Sequence, residues 1–345
     1  MRTERVSDHV WWVGAIDWNL RDFHGFETPR GTTYNAYLVK GEHTTALVDT
    51  VKTPFVGELL SRVASLVDPA SIGLIVVNHV EPDHNMGLPD VMAACPNASV
   101  VASGSGVRGV AEYHDGLVVE AVGDKDVIDL GGVTLRFLPM PMVHWPDSMF
   151  TYCSEERVLM CNDAFGQHLA TAERFADEVG EGLALDELGR YYANILMPVS
   201  AQVSKVVDKV HAAGWEPLVV APSHGVMWRG EAVSRATWDS SSFIPVPRRL
   251  MLSSVRASMI RSRSPVSRAS MNRAPGWPPS AKSDLPTAPR WAWRNQAAHA
   301  PEPRETRATA SCSVVSDATS AARIETNSGN SDASCRRTRR AGDRR

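Results

Sequence analysis

The chain has 345 residues, 43% of them apolar, and a net charge of −3, so it is long enough for two domains and has ample material for at least one sizeable core. Nowhere do 18 apolar residues follow one another, and the opening MRTERVSDHVWWVGAIDW lacks the uninterrupted apolar run of a secretory leader. Composition therefore excludes a membrane-spanning helix, and a cytoplasmic protein without membrane contact is expected.

Short β-rich runs recur in the first 225 residues: VWWVG near 10, TYNAYLV at 33–39, TALVDT at 45–50, IGLIVV at 72–77, VTLRFL at 133–138 and PLVVAP at 217–222. Helical patterns lie between some of them, at 56–67, 87–95 and 202–214, with Gly214 placed to end the last. This is a mixed α/β layout without internal repeats, and its connections suit one domain. From about Gly230 the pattern decays. IPVPRRLMLSSV at 244–255 could supply one strand, but the segment beyond has neither the period of a strand nor that of a helix.

The charge breaks at the same place. Residues 1–245 hold 17 Lys and Arg against 32 Asp and Glu, a net −15, whereas residues 246–345 hold 19 against 7, a net +12. Of those basic residues only Lys282 is a lysine, and Ser, Ala, Pro and Thr fill most of the remainder, so disorder is expected. Cys95, Cys153, Cys161, Cys312 and Cys335 form no CxxC pair and no zinc or disulfide spacing, which predicts buried or free thiols.

The densest chemistry lies in Asn78-His79-Val80-Glu81-Pro82-Asp83-His84-Asn85, directly after IGLIVV. Four metal-capable side chains fall within six residues. In an extended segment His79, Glu81 and Asp83 would share a face, and the turn into the next helix would bring His84 beside them. One ion cannot easily use all four, but two adjacent ions can. A solvated polar turn is the plain alternative, and Pro82 suits it. Three further positions weigh against that alternative: His144 after VTLRFL, Asp163 after VLMC and Asn162, and His224 after LVVAPS each lie just past a strand, so their loops gather at one sheet edge. Carboxylates and imidazoles without thiolates suit Fe, Mn or Zn, and divalent ions would relieve the repulsion among the carboxylates.

With HVEPDHNMG, MVHWPDSM, LMCNDAFGQH and APSHGVMWR in place, and with GAIDWNLRDFHGFETPRGTTYNAYLV and GRYYANILMP beside them, residues 3–230 closely resemble the metallo-β-lactamase-like half of flavodiiron proteins, also called A-type flavoproteins. Related hydrolases carry HxHxDH where this chain has HxExDH. The resemblance implies an αββα sandwich over residues 1–235. It implies one iron held by His79, Glu81 and His144, a second held by Asp83, His84 and His224, and Asp163 bridging them. Glu81 in place of a histidine shifts preference from zinc towards iron. The implied reaction is reduction of O2 to water or of NO to N2O. Electrons would come from a donor such as rubredoxin, flavodoxin or a flavin reductase, in a head-to-tail homodimer.

His24 and Tyr192 are candidates for placement beside the pocket as proton-supplying groups. His168 is placed to support the Asp163 loop, and Trp145 to shield the metals. His9, His43, His114 and His211 are expected to be ordinary surface residues.

Flavodiiron proteins continue into a flavodoxin-like FMN domain, which residues 236–345 do not spell out: no strand followed by a Ser/Thr-rich phosphate loop is legible there. Thr326–Ser331, TNSGNS, resembles such a loop but follows no apolar strand. The switch to arginine-rich, lysine-poor sequence is what a GC-rich gene gives in a wrong frame, and a frameshift near residues 230–245 is the expectation. A polyanion-binding tail is the rival, opposed by the lack of interleaved aromatics or a binding fold, so no nucleic-acid partner is expected. Two other functions stay open: a dizinc ester or thioester hydrolase, and a metal-binding remnant without catalysis.

Overall fold

The computed structural model describes residues 2–23 and 25–238, and each structural statement here concerns those residues. His24, the strand in IPVPRRLMLSSV, the TNSGNS loop and the Arg-rich segment from residue 239 onward lie outside them. Helical turns run through Glu231–Val233 and Ser234–Trp238, just past the expected boundary at 235.

Two sheets face each other. The strands of the first half are β1 (Glu4–Arg5), β2 (Val10–Trp12), β3 (Ala15–Asp17), β4 (Asp22–Phe23), β5 (Phe26–Glu27), β6 (Thr32–Tyr34), β7 (Tyr37–Lys40), β8 (Thr45–Val48), β9 (Ile72–Val77), β10 (Ser99–Ser103) and β11 (Glu120–Val122). Seven of these form a sheet in the order β1-β2-β7-β8-β9-β10-β11, while β3 pairs β6 and β4 pairs β5 in two small ribbons. The second sheet has the order of the chain: β12 (Val127–Asp129), β13 (Thr134–Pro139), β14 (Met149–Cys153), β15 (Val158–Met160), β16 (Val219–Ala221) and β17 (Trp228–Arg229).

Alternation along the strands builds the layers. Tyr37, Val39, Ala46, Val48, Leu74 and Val76 face Phe137, Met149, Met160 and Ala221 of the opposite sheet. Leu38, Leu47, Ile75 and Val77 face outward, where α1 (Val56–Ala64), α2 (Pro82–Asn85), α3 (Leu88–Ala94) and α4 (Gly104–Tyr113) follow in the chain, and α1, α3 and α4 cover them. Phe150, Leu159 and Val220 face the other way, and α5 (Ala176–Val179) leads to α6 (Glu181–Tyr191) and α7 (Ser200–Ala212), which close that side. The result is an αββα sandwich, as the resemblance implied. Each fully buried aliphatic side chain contributes about 1.5–3 kcal/mol.

Particular sequences explain the elements. β9 lies parallel to both β8 and β10 and is covered on both faces, which is why IGLIVV is almost continuously apolar. Val56, Leu59 and Val63 make one buried stripe on α1, and Val203, Val206 and Val210 make another on α7, which Gly214 ends at φ +69°. TYNAYLV, expected as one strand, is divided into β6 and β7. Between them the Asn35 backbone N–H leaves the sheet to donate to Ser223 O at 2.8 Å. The strands β10 and β14 and the helices α4 and α6 were not anticipated. Among the described residues no helix is long and apolar enough to cross a membrane.

Candidate metal centre

Parallel packing aligns the C-terminal ends of β8 and β9 in one sheet and of β15 and β16 in the other, with β13 antiparallel to β14 and so running the same way as β15. The loops after β9, β13, β15 and β16 carry all seven candidate ligands. After β9, Asn78 anchors the first loop: its backbone N and Nδ2 donate to the two oxygens of Asp49 at 2.7 and 3.1 Å, and it accepts from Thr151 Oγ1 at 2.7 Å. Pro82 then starts α2 rather than a solvated turn, because its fixed φ and missing N–H suit the first helical turn. This corrects the expected extended geometry. Asp83 is in the helix next to His84, not on one face with His79 and Glu81.

Two groups result: His79, Glu81, His144 and Asp163, and Asp83, His84 and His224, with the candidate ligand atoms of each within 4.8 Å of one another. Neither includes a cysteine, and Cys95, Cys153 and Cys161 are buried free thiols. Asp163 stands between the groups. Its Oδ2 lies 3.0 Å from His144 Nε2 and 3.4 Å from His79 Nε2, and its Oδ1 lies 3.2 Å from His84 Nε2 and 3.5 Å from His224 Nε2. Glu81 Oε2 is 3.2 Å from His79 Nε2 and 3.1 Å from His144 Nε2, and Asp83 Oδ2 is 3.4 Å from His84 Nε2 and 3.3 Å from His224 Nε2.

Burial alone would raise the Asp163 carboxyl, but the His84 charge close by and the hydrogen bond from His144 hold it well below the usual carboxylate range. Burial pulls His84 down, yet Asp83 and Asp163 carry it up to about 9. His144 is pulled down by burial too, and hydrogen bonds to Asp163 and Glu81 carry it up to about 9. Imidazole and carboxylate thus stabilise each other's charges, and a divalent cation can take the place of the protons. Both Asp83 oxygens, Asp163 Oδ1, His84 Nε2 and His224 Nε2 are buried without a hydrogen-bond partner. Buried acceptors of this kind converging on one space are costly unless a cation satisfies them, so the residues fit a pair of metal ions.

Other side chains hold these ligands. His79 Nδ1 donates to Asp147 Oδ2 at 2.8 Å. His224 Nδ1 donates to Thr33 O at 2.7 Å, and its loop is held by Asn35 Nδ2, which donates to Pro222 O at 2.8 Å and Gly225 O at 3.1 Å. Thr50 Oγ1 donates to His84 O. His168 Nδ1 is 3.0 Å from Thr32 Oγ1, and its ring lies 5.2 Å from that of His224. The Trp145 ring meets His79 edge-on at 5.4 Å.

One expectation needs correction, and one residue was overlooked. Tyr191, the neighbour of the candidate Tyr192, stands against the cluster: its ring is buried and 5.9 Å from His224. Its phenol is raised well above its ordinary value by burial and then by the Asp163, Glu81 and Asp83 charges, whereas for Tyr192 burial is the cause. A helix turns 100° per residue, so neighbours in the YY pair face different surroundings. His114, expected at the surface, is buried, and its Nε2 lies 3.0 Å from Asn85 O, where it donates to the end of α2. Sequence reasoning missed Asp49, Asn35 and Asp147. Asp147 alone had a signal, since it lies in the same HWPD run as His144.

Residues 32–225 match the ODP family beta lactamase. The chain is 46% identical over 228 residues to the nitric oxide reductase of Moorella thermoacetica, covering 65% of this chain and 57% of that protein. It is 41% identical over 233 residues to the rubredoxin-oxygen oxidoreductase of Megalodesulfovibrio gigas, covering 67% and 58%. The fold is similar to the crystal structure of the flavodiiron protein from Giardia intestinalis, with a TM-score of 0.66, 35% identity, and coverage of 72% of this chain and 59% of that one. The chain therefore spans under three fifths of the length of these relatives.

Proposed function

Because the chain belongs to the ODP beta-lactamase family, whose match here extends to flavodiiron proteins, we propose that it carries the active site of a flavodiiron-type oxidoreductase reducing O2 to water or NO to N2O. The observation that carries this reading is the double-faced Asp163, one oxygen towards each group of ligands. His79, Glu81 and His144 would hold one iron, and Asp83, His84 and His224 the other, with Asp163 between them. The proposed metal-bearing domain is residues 1–235.

Iron, once bound by these residues, would supply the redox change needed to reduce the gas. The chain's own residues do the rest. Three carboxylates supply fixed negative charge, and Glu81 gives a hard oxygen where the hydrolase motif has histidine. Burial and the neighbouring carboxylates keep the Tyr191 phenol protonated, so it is available as a hydrogen-bond donor beside Asp163. The rings of Tyr34 and Trp145 pack edge-on against the candidate ligands, 6.1 Å from His224 and 5.4 Å from His79.

Electrons must arrive from outside these residues, and an FMN domain, rubredoxin, flavodoxin or a flavin reductase would deliver them in the cytoplasm. A head-to-tail homodimer would bring a donor to the site. The test is metal analysis of purified protein, followed by anoxic NO consumption and then O2 consumption with an artificial reductant. Two irons per chain and turnover of either gas are expected. Two zincs with ester or thioester hydrolysis would overturn the reading, and loaded iron without turnover would leave only a metal-binding domain.

A further inference from the structure

The two ligand groups are backed unequally. Behind His79 stands a full carboxylate: Asp147 Oδ2 accepts from His79 Nδ1 at 2.8 Å and from Val80 N at 2.8 Å. Asp147 is itself held, since its backbone oxygen accepts from Ser103 Oγ at 2.6 Å, and it is buried. It also follows His144 by three residues, so one side chain ties together the loops of two ligands in the same group.

The other group has no such support. His224 Nδ1 meets neutral oxygens, Thr33 O at 2.7 Å and Thr32 Oγ1 at 3.3 Å, and His84 Nδ1 is buried without a hydrogen-bond partner. The remaining buried carboxylate nearby, Asp49, is hydrogen-bonded to Asn78 N and Nδ2 rather than to a ligand ring.

A histidine that donates Nδ1–H presents Nε2 as its lone-pair nitrogen, and any good acceptor fixes that tautomer and the ring's orientation. An anionic acceptor also makes the ring a stronger donor to a metal. Carbonyl and hydroxyl oxygens do less of this, and an imidazole with no acceptor gains neither orientation nor basicity.

From this asymmetry we propose that Asp147 is a positioning residue that makes the two metal sites unequal, so that the His79, Glu81 and His144 site takes up a divalent ion first and holds it more tightly than the Asp83, His84 and His224 site. The inference rests on the reading of these residues as metal ligands.

The test is an anoxic titration of the metal-stripped full chain with Co(II), followed by its visible d–d absorption. Two steps are expected, the first tighter. His224→Ala keeps the first step, and His79→Ala keeps only the weaker. Asp147→Asn keeps the size of the side chain and an oxygen acceptor but removes the charge, so it weakens the first step about 10–100-fold and leaves the second in place. An Asp147→Asn titration that superimposes on the wild type, or that weakens both steps equally, overturns the proposal. A wild-type chain that binds fewer than two Co(II) ions refutes the ligand assignment itself. Should circular dichroism find Asp147→Asn unfolded, the two alanine variants decide. His224→Ala must bind its one ion at least about tenfold more tightly than His79→Ala; equal affinities overturn the proposal.

Discussion

Stripping the metals makes stability fall as pH rises into the alkaline range. In the protein without metal, His84 and His144 are each pushed up to about 9 from an ordinary 6.5. Both are therefore charged in the fold, and neutral in the unfolded chain, anywhere between those values. Their stabilisation is complete below about pH 6.5 and is lost as pH rises through 9. The gap between 9 and 6.5 corresponds to about 3 kcal/mol per ring. The two rings depend on the same Asp163, so their joint contribution is smaller than twice that, roughly 3–5 kcal/mol. With metals bound the ligating rings are neutral in the fold, and over the same window they contribute no slope. The assay is urea unfolding at half-unit steps from pH 6.5 to 9.5, on chelator-treated and on metal-loaded protein. The treated protein is expected to lose several kcal/mol across the window while the loaded protein stays level. A treated protein whose stability is flat or rises with pH would refute the picture of mutually charged imidazoles and carboxylates.

Other expectations concern the parts that hold the ligands. Gly225 sits at φ +80°, where an added Cβ would come 2.3 Å from Gln167 Oε1 and 2.6 Å from Gln167 O, so Gly225→Ala should cost about 2–4 kcal/mol in denaturant unfolding and displace His224 next to it. Asn35→Ala leaves Trp12 Nε1, which donates to Asn35 Oδ1 at 2.8 Å, and the Pro222 and Gly225 carbonyls without this side chain. A loss of about 2–4 kcal/mol is expected, with faster release of metal to a competing chelator, and wild-type release kinetics would refute the clamping role. The same release assay on Tyr192→Phe should match the wild type, whereas Tyr191→Phe should alter turnover in the presence of reductant. The reverse order would restore the sequence-based assignment.

Much of this molecule was legible in the chain itself. The apolar run of β9 and the stripes on α1 and α7 are local patterns, and burial on one or both faces leaves a periodicity that can be read without coordinates. The seven candidate ligands were legible for a related reason: polar, metal-capable residues placed directly after apolar strands have few structural uses, and strand ends converge at a sheet edge. What stayed hidden depends on which loop faces which. Nothing in TALVDT says that Asp49 accepts from Asn78 across β8 and β9, and nothing in TYNAYLV says that Asn35 turns out of the sheet to hold the His224 loop. The neighbours Tyr191 and Tyr192 have identical chemistry, and nothing in the pair itself says that the Tyr191 ring lies against His224. The sequence by itself supplied the candidate donor set and, through the family resemblance, its expected division into two groups about Asp163. The tertiary structure alone decided which group Asp147 supports, because hydrogen bonds between residues 67 or more positions apart exist only once the two sheets have packed.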